Sequence, residues 1–582
     1  LNNSEAVPFG FRLYATYDVE TQSADKVLHK IIDKLNADLR SIDTINDKVR
    51  VREFYLISSE DAYELLEDIA IISGTKERLH LYKPTKDEAQ EEKIAEKNRE
   101  LSKNRHHFKE IKFKSSLTNK TYYSKTKDDG TLGIYEEETN NEVPNNSSPS
   151  KKQILLQAVK DLNDEVDIFD VSCGLNDSIQ YQIDANYMKD GWRSYMAKAV
   201  KEKFGKPVIS MGNYRDPQVV EDTLARGDCD LIGMGRGLIA EPNWVHKVAN
   251  DQECMLRKCI SCNIGCAGNR IGGNRPIRCT VNPSVLEGDT HLGRKVNKNC
   301  NVVVIGGGTA GLEAACSAAE VGCTTFLLEK KDVLGGLATE ISKIPAKHRL
   351  NDFPVYLQRR AAALDNLYIF KNVEATLEVI EKFNPHIIIC ATGSAPLLPP
   401  IAGLHENIDK EGGKVESILS MIKHVPDYPE DMTGQKVVVI GGGAVGLDVV
   451  EFFAPRGAEV SIVEMMPAIG RDLDPVTKND TKCMMEKYNV NQLTSTALQE
   501  VKEDCFVVKS PEGEVYELPF DHGFVCLGMR AQSKVYEEVS KAYKDTNVRV
   551  ENIGDSVRAR RIIDGTFEGR NIVFTLEQKG FL

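Results

Sequence analysis

From residue 151 onward, short apolar runs alternate with amphipathic stretches of helical spacing. The apolar runs cover 166–172, 207–211 and 230–234, and helical patterns precede them at 152–162, 194–203 and 217–226. Buried strands separated by amphipathic helices are typical of βα units in a parallel sheet. The pattern therefore predicts an α/β fold for this part of the chain.

The alternation continues in two longer units, each of which carries a glycine-rich turn. In both, an apolar strand leads into G-x-G-x-x-G, a helix follows, and a second strand ends at an acidic residue. The positions are Gly306, Gly308, Gly311 and Glu329 in the first copy and Gly441, Gly443, Gly446 and Glu464 in the second. One such motif could be a structural glycine turn, but two full copies at the expected offsets favour dinucleotide binding.

Residues 1–139 have a different character, rich in Lys, Glu, Asp and Asn. Strand-like and helix-like pieces predict an α+β module of unassigned fold, and no chemical motif is visible in it. The basic stretch 97–127 is best interpreted as a solvated charged surface. A polar, turn-rich run at 140–150 is typical of a linker.

Composition excludes some classes of function. The 582 residues carry a formal net charge of −13, which argues against nucleic acid as a main partner. No apolar run is long enough to cross a bilayer, and no secretory signal is visible at the N-terminus. Most of the 14 cysteines are scattered singly, which is typical of a reducing compartment and predicts a cytoplasmic protein.

Four cysteines lie close together in the sequence C-I-S-C-N-I-G-C-(x)12-C. They are Cys259, Cys262, Cys266 and Cys279. Thiolate is the soft ligand that iron prefers, and four of them can hold the corners of a [4Fe–4S] cluster. A zinc site more often shows two separated C-x-x-C pairs, and a disulfide framework is the weakest alternative.

Two of the predicted strands end in small residues that would let backbone amides approach a phosphate. Gly212 and Asn213 follow the first of these strands, and Gly235 and Arg236 follow the second. In (β/α)8 barrels the loops after the last two strands form the phosphate site. Alternatively, Gly212 and Gly235 only allow the chain to turn after each strand.

The block 166–283 closely resembles the C-terminal part of the barrel in iron–sulfur flavoenzymes of the old yellow enzyme group. That group includes 2,4-dienoyl-CoA reductase, 2-enoate reductase and the bile-acid-inducible NADH:flavin oxidoreductases. The matching segments are G-K-P-V-I-S-M-G at 205–212, I-G-M-G-R at 232–236, the cysteine motif, and C-T-V-N-P at 279–283. The resemblance extends over about 151–582.

The resemblance implies a chain of cofactor sites along this region. The implied domains are a partial FMN barrel at 151–258, an iron–sulfur segment at 259–285, an FAD domain at 300–433 and 536–582, and an NAD(P) domain at 434–535. Gly212, Asn213, Gly235 and Arg236 would then hold the FMN phosphate.

The two glycine modules resemble the two-domain FAD/NAD(P) flavoprotein fold, in which the first copy holds FAD and the inserted copy holds the nicotinamide nucleotide. Thr392 and Gly393 resemble the crossover between the domains, and Gly554 and Asp555 resemble the pair near the FAD ribityl chain. Glu464 favours NADH, because a carboxylate would repel the 2′-phosphate of NADPH. Arg456 and Arg471 lie near in sequence and leave NADPH open.

By this resemblance, electrons pass from NADH to FAD, to the cluster, to FMN, and to an activated alkene such as an enoate, enoyl-CoA or enone, or in the reverse desaturation. The position that matches the family's proton-donating His is Asp177, for which a loop-capping role is favoured over proton donation. Tyr181 and Tyr187 are other proton donors nearby, for which a packing role is favoured.

The sequence departs from the family in its first half. A closed barrel needs eight strands, and only three βα units precede the cysteines. Two alternatives therefore stay open beside the alkene reductase: an NADH:acceptor or NADH oxidase module without a working FMN site, and a rearranged non-catalytic fusion protein. The oligomeric state, a homo-oligomer included, is open as well.

Overall fold

The computed structural model describes residues 166–175, 178–286 and 288–582 in full, and the backbone of seven short strands nearer the N-terminus. The chain forms two units, 1–162 and 163–582. The predicted linker at 140–150 and helix at 152–162 lie outside the described residues. No helix among the described residues combines the length and apolarity that crossing a membrane would require.

The described strands of the first unit pair only in antiparallel fashion. The pairs are β1 with β4, β2 with β3, and β6 with both β5 and β7, where β1 is Ala15–Tyr17, β2 Arg40–Ile45, β3 Lys48–Tyr55, β4 Leu79–Leu81, β5 Lys112–Lys114, β6 Thr121–Thr126 and β7 Leu132–Glu136. A (β/α)8 barrel consists of parallel strands, so the pairing of these described strands is not that of a barrel.

The second unit begins with a three-stranded parallel sheet in the order β10-β9-β8. Its elements are β8 Phe169–Val171, α1 Ile179–Gln182, α2 Ser194–Phe204, β9 Val208–Ser210, α3 Pro217–Ala225, β10 Leu231–Ile232, α4 Arg236–Ala240 and α5 Trp244–Ala249. Val208 of the central strand and Ala197 of α2 are buried in the same hydrophobic cluster. The predicted βα alternation is confirmed, with strands shorter than the apolar runs.

The cysteine segment contains a π-helix, Ile264–Gly272, which begins after Asn263. Gly265 is required at its start, because a methyl group there would lie 2.5 Å from the carbonyl oxygen of Arg278. This close approach holds the first three cysteines against the segment that carries the fourth.

The first glycine module forms a five-stranded parallel sheet in the order β13-β12-β11-β14-β25. Its elements are β11 Asn301–Ile305, α6 Thr309–Glu320, β12 Thr324–Glu329, α7 Leu337–Ile341, α8 Asp352–Ala362, β13 Leu367–Lys371, α9 Leu377–Glu381, β14 Ile387–Cys390, β25 Arg549–Asn552, α15 Ile562–Arg570 and α16 Ile572–Gln578. The last three come from the C-terminal end, so the second module is inserted into the first.

The inserted module repeats this architecture with a parallel sheet in the order β16-β23-β17-β18-β19 and an antiparallel sheet β20-β21-β22. Its elements are α10 Leu404–Asn407, β16 Val415–Ser417, α11 Ile418–His424, β17 Lys436–Ile440, α12 Ala444–Phe453, β18 Glu459–Val463, α13 Pro475–Lys487, β19 Asn491–Leu493, β20 Ala497–Val501, β21 Cys505–Lys509, β22 Val515–Pro519 and β23 His522–Val525.

An antiparallel ribbon connects the two modules at both crossings of the chain: β15, Ser394–Pro396, pairs with β24, Met529–Ala531. Helix α14, Lys534–Ala542, then leads back to the first sheet. The described part of the second unit thus contains three parallel sheets, and the predicted α/β class is confirmed.

A buried ion network holds the helix that follows the first glycine turn. Glu313 of α6 is fully buried and accepts hydrogen bonds from Arg360 of α8 at 2.8 Å and Arg570 of α15 at 2.9 Å. Burial opposes ionisation, but the two arginines outweigh it and hold the pKa of Glu313 below its ordinary value. The network fixes α6 from two sides and so fixes the glycine turn at its N-terminus.

Replacing Glu313 by alanine is expected to lower the free energy of unfolding by about 3 kcal/mol, because it removes the one fully buried acid that Arg360 and Arg570 share and leaves each with a single, less buried carboxylate, Glu320 or Asp289. Urea unfolding followed by circular dichroism measures the loss. Glu378→Ala is the matched control, since it removes the partner of Lys382 from an exposed ion pair that solvent screens. Equal losses in the two variants would contradict a structural role for the buried network.

Candidate functional site

The first glycine turn has one open position between two crowded ones. Gly306 has φ +105°, and a methyl group on it would lie 2.4 Å from the carbonyl oxygen of Ala391. A methyl group on Gly311 would lie 1.9 Å from the carbonyl oxygen of Gly306. On Gly308 it would meet nothing closer than 4.0 Å. The turn thus leaves space at the N-terminus of α6, where backbone amides favour an anion.

Glu329 is fixed beside this turn by two backbone amides. One carboxylate oxygen accepts from the amide of Gly307 at 2.7 Å, and the other accepts from the amide of Lys331 at 2.8 Å. The acid therefore lies at the end of β12 against the glycine turn, where a ribose hydroxyl would lie in a bound dinucleotide.

The two segments that were predicted to complete this site lie beside the same turn. The carbonyl of Ala391, which crowds Gly306, directly precedes Thr392 and Gly393. Gly554 has φ +67°, and a methyl group on it would lie 3.0 Å from the Cβ of Ala310. Asp555 accepts a hydrogen bond from Ser394 at 3.0 Å. The fold thus collects three distant segments around one open turn.

The second turn reproduces this geometry. A methyl group on Gly441 would lie 2.3 Å from the carbonyl oxygen of Cys526, one on Gly446 would lie 1.9 Å from that of Gly441, and one on Gly443 would meet nothing within 4 Å. Glu464 accepts from the amide of Gly442 at 2.6 Å. Both turns therefore fit a dinucleotide pyrophosphate.

A cleft of about 1460 Å³ extends from the second turn to the cysteine loop. Its lining includes Gly441, Gly443 and Glu464 of the second module and Cys262 and Ile264 of the cysteine loop. Its volume exceeds the range of about 300–1,000 Å³ typical of small-ligand pockets, so it can admit an extended ligand such as a dinucleotide.

The cleft also contains a lysine between two carboxylates. Lys347 bonds Asp448 at 3.0 Å and Glu451 at 2.7 Å. Burial disfavours the ammonium form, but the two acids outweigh it and hold the pKa of Lys347 above its ordinary value. Burial raises the pKa of Asp448, against the influence of Lys347. These contacts connect α12 of the inserted module to the first module.

The four predicted ligand cysteines lie within electrostatic reach of one another. Burial raises the pKa of Cys262 and of Cys279 to about 12 each, and neighbouring cysteines add to both shifts. Burial and Cys259 likewise raise the pKa of Cys266. All 14 cysteines are free thiols, so no disulfide competes for these four.

The arrangement of these thiols bears on which metal group they fit. Among the described residues, no three or more His, Cys, Asp or Glu side chains are grouped to hold a single metal ion. Tetrahedral zinc would need all four sulfurs about 2.3 Å from one point. A [4Fe–4S] cluster instead offers four separate corners to four thiolates, and four partly buried, unpaired thiols are the donor set that it takes.

A second cavity, of about 350 Å³, lies at the carboxyl ends of β9 and β10. The residues predicted to hold the FMN phosphate all line it, together with two of the cysteines: Gly212, Asn213, Gly235, Arg236, Cys259 and Cys266. A methyl group on Gly235 would meet nothing within 4 Å, so the loop is open at that point.

Arg236 is not free in this cavity. Its guanidinium donates to the carboxylate of Asp184 at 2.9 Å and to the side-chain oxygen of Asn263 at 2.6 Å. Arg193, which is 4% exposed, also bonds Asp184, yet its Nε has no hydrogen-bond partner. A buried, unsatisfied cationic donor that lines the cavity fits a phosphate bound there.

The predicted proton donor, Asp177, lies outside the described residues. Tyr187 donates to Asp480 at 2.8 Å, and burial followed by Asp480 raises the pKa of Tyr187 above its ordinary value. The ring of Tyr181 lies 6.3 Å from that of Trp192. Both tyrosines thus have packing or hydrogen-bond partners of their own.

Several residues in or beside these cavities were not predicted from the sequence. Asp184, Arg193 and Arg349 lie in ordinary-looking loop or helix sequence and carried no signal. Ser261 and Asn263 could have been found, because polar residues between closely spaced ligand cysteines are candidates for contacts around a cluster.

Two family models match this chain. Residues 155–254 match the NADH:flavin oxidoreductase / NADH oxidase family, and residues 300–554 match the pyridine nucleotide-disulphide oxidoreductases. The two matches follow the order of modules that was expected from the sequence.

Three curated relatives are enzymes. An NADH oxidase of Thermoanaerobacter brockii is 33% identical over 71% of this chain and 62% of its own length. A bilirubin reductase of Mediterraneibacter gnavus is 32% identical over 62% of this chain and 54% of its own length. A cinnamate reductase of Clostridium sporogenes is 29% identical over 73% of this chain and 60% of its own length. The chain therefore spans between about half and two-thirds of the length of these relatives.

A solved 2-naphthoyl-CoA reductase, in complex with 2-naphthoyl-CoA, has a TM-score of 0.64 at 24% identity over 73% of this chain and 62% of that one. It shows that the barrel-type segment and the two-module segment occur together in one known fold. The resemblance to iron–sulfur flavoenzymes of the old yellow enzyme group is confirmed.

The two kinds of glycine in the second turn should respond differently to a methyl group. Gly446→Ala is expected to destabilise the protein by about 1–3 kcal/mol or more, because its methyl group would overlap the carbonyl of Gly441. Gly443→Ala should leave stability within about 0.5 kcal/mol, since its backbone is extended and its surroundings are open. Thermal unfolding distinguishes them, and equal losses would count against this geometry.

Proposed function

We propose that this chain, a relative of the NADH:flavin oxidoreductases, passes electrons from NADH through FAD and a [4Fe–4S] cluster to FMN and an activated alkene. The alkene would be an enoate, enoyl-CoA or enone, and the reverse desaturation is the same chemistry run backwards. The cinnamate reductase among its relatives supports this substrate class. Because the match spans only part of each relative's length, the whole activity is part of the proposal.

One observation supports the electron route above all others. Cys262 lines the cleft that contains the second glycine turn, while Cys259 and Cys266 line the cavity at the strand ends. The cysteine loop therefore lies between the space proposed for NADH and the space proposed for FMN. A redox centre in that loop would adjoin the FMN space, and Cys259, Cys262 and Cys279 pack against the core of the first glycine module, from which FAD would supply the electrons.

The residues of each glycine turn bind and orient in this proposal. Gly306, Gly308, Gly311 and Glu329, with Thr392, Gly393, Gly554 and Asp555, would hold FAD, and Gly441, Gly443, Gly446 and Glu464 would hold NADH. Flavin accepts electrons as a hydride and releases them singly, which is the conversion that an iron–sulfur centre requires. Lys347 connects the two modules and keeps their facing surfaces in register.

The residues around the second cavity would serve the other end of the route. Gly212, Asn213, Gly235 and Arg236 would bind the FMN phosphate, assisted by the unsatisfied Nε of Arg193. Asp177 remains the proposed proton donor to the alkene. The free thiols suit a reducing cytoplasm, where we expect the protein to act.

A second candidate is an NADH:acceptor or NADH oxidase module without FMN. The observation that favours it is the short barrel segment: the family model covers only residues 155–254, and the described sheet there has three parallel strands. A closed barrel has eight. The named NADH oxidase relative is consistent with either candidate.

Anaerobic purification followed by flavin and iron analysis tests the route. We expect one FAD and about four irons per chain. FMN equal to FAD supports the alkene reductase, whereas FAD and iron without FMN supports the second candidate. A chain that binds neither flavin nor iron, although folded, would contradict both.

Replacing Cys262 by alanine should remove the cluster and leave reduction of FAD by NADH intact, because the glycine turns do not depend on that thiol. The loss is expected in iron content and in electron delivery to the acceptor, while bleaching of the flavin absorbance on adding NADH persists. Cys254→Ala, which removes an exposed cysteine just before the motif, is the control. Retention of all iron in the Cys262 variant would refute its role as a ligand.

Replacing Glu464 by glutamine should lower the preference for NADH over NADPH about fivefold to tenfold, since it removes a negative charge that repels the 2′-phosphate by about 1 kcal/mol. The ratio of the two kcat/KM values measures the effect. Glu329→Gln, the same change in the first turn, should leave the ratio unchanged. A ratio unaltered in both variants would show that Glu464 does not select the coenzyme.

A further inference from the structure

We propose that Ser261 and Asn263 are positioning residues that couple the cavity at the strand ends to the cysteine loop, so that an anion bound in that cavity changes the redox behaviour of the cluster. The inference rests on the cluster binding proposed above and adds a regulatory link between its two neighbouring sites.

Both residues have a left-handed backbone conformation, which residues other than glycine rarely adopt. Ser261 has φ +51° and Asn263 has φ +57°, and they are 2% and 1% exposed. A positive φ at a residue with a side chain is uncommon and needs support from its surroundings. Here that support comes from hydrogen bonds to the barrel segment and its neighbours.

The side chain of Ser261 is held from two directions. Its hydroxyl donates to the side-chain oxygen of Asn213 at 2.8 Å and accepts from Arg349 at 3.3 Å. Asn213 itself follows β9 and lines the strand-end cavity. Any ligand that draws the amide of Asn213 towards the cavity therefore acts directly on Ser261.

The side chain of Asn263 is likewise held by hydrogen bonds, one of them from the first residue of α4, which follows β10. Its oxygen accepts from Arg236 at 2.6 Å, and its amide donates to the carbonyl of Asp184 at 3.3 Å. Arg236 also pairs with the carboxylate of Asp184 at 2.9 Å. An anion that attracts the guanidinium of Arg236 would compete with both of these contacts.

The backbone of the two residues carries this restraint to the sulfur atoms. The amide of Ser261 donates to the Sγ of Cys259 at 3.3 Å, and the amide of Ile264, next to Asn263, donates to the Sγ of Cys262. The carbonyl of Asn263 accepts from Gly268 at 2.7 Å within the π-helix that carries the third cysteine. Side-chain clamps thus set the hydrogen bonds that the sulfurs receive.

Hydrogen bonds to the sulfurs are among the factors that set the reduction potential of an iron–sulfur cluster. An anion that shifts Asn213 or Arg236 should therefore shift the cluster's ratio of oxidised to reduced forms. The linkage is reciprocal, so cluster reduction should change the affinity for the anion by the same factor.

The test uses the full chain with its cluster reconstituted anaerobically, poised at one fixed potential. The fraction of reduced cluster is read by electron paramagnetic resonance without addition, with inorganic phosphate, and with FMN. In the unaltered protein we expect the reduced-to-oxidised ratio to change about fivefold on addition. A change with phosphate alone assigns the effect to the phosphate group, and a change only with FMN assigns it to the whole nucleotide.

Ser261→Ala and Asn263→Ala should bind iron and FAD but lose this response. Asn366→Ala is the matched control, since it removes an amide that donates two 2.8 Å hydrogen bonds in the first module and should keep the response. A full response in the two test variants, or none in the unaltered protein, overturns the coupling.

Asn263→Asp covers the case in which the alanine variants bind no iron. It keeps an oxygen for Arg236 and adds a negative charge that strengthens this pairing, while it loses the donor to the carbonyl of Asp184, so a retained cluster with a retained response supports the clamp through Arg236. Loss of iron from this variant too would make Asn263 a structural requirement of the loop and overturn the coupling. An unaltered chain that binds no iron would instead contradict the proposed function itself.

Discussion

Each half of the two-module region depends on a backbone contact that only glycine permits. The third glycine of each turn, Gly311 or Gly446, lies so close to the carbonyl of the first that a methyl group would be 1.9 Å away. This contact sets the start of α6 and α12 directly against the end of a buried parallel strand. The middle glycine is then left facing open space, with an acid beside it. Because the same constraint occurs twice, the chain has two equivalent cradles whose geometry fits a nucleotide pyrophosphate.

The helix that carries the first cradle is held further by charge. Glu313 is fully buried on α6 and is paired with arginines from α8 and from the C-terminal α15. Buried ion pairs of this kind add little net stability over apolar contacts, but they are strongly destabilising when one partner is lost. They also fix which helices pack together. The chain therefore closes its first module with residues more than 250 positions apart, around the inserted second module.

The cysteine loop lies between two cavities. Cys262 lines one, and Cys259 and Cys266 line the other. The π-helix after Asn263 and the close approach at Gly265 hold the loop compact, while Ser261 and Asn263 tie it to the strand ends. Under the proposed function, a centre bound there would lie beside the cavity at the strand ends and against the core of the first module.

Sequence alone determined what local patterns encode. The βα alternation, the two glycine turns with Glu329 and Glu464, and the four clustered cysteines are contiguous signals, because strand burial, tight turns and soft ligands impose short, fixed spacings. The tertiary structure decided what distant residues do. It paired Arg236 with Asp184 and Asn263, brought Gly554 against Ala310, and set Lys347 between Asp448 and Glu451. Such contacts join residues with no common period along the chain, so only packing can select them.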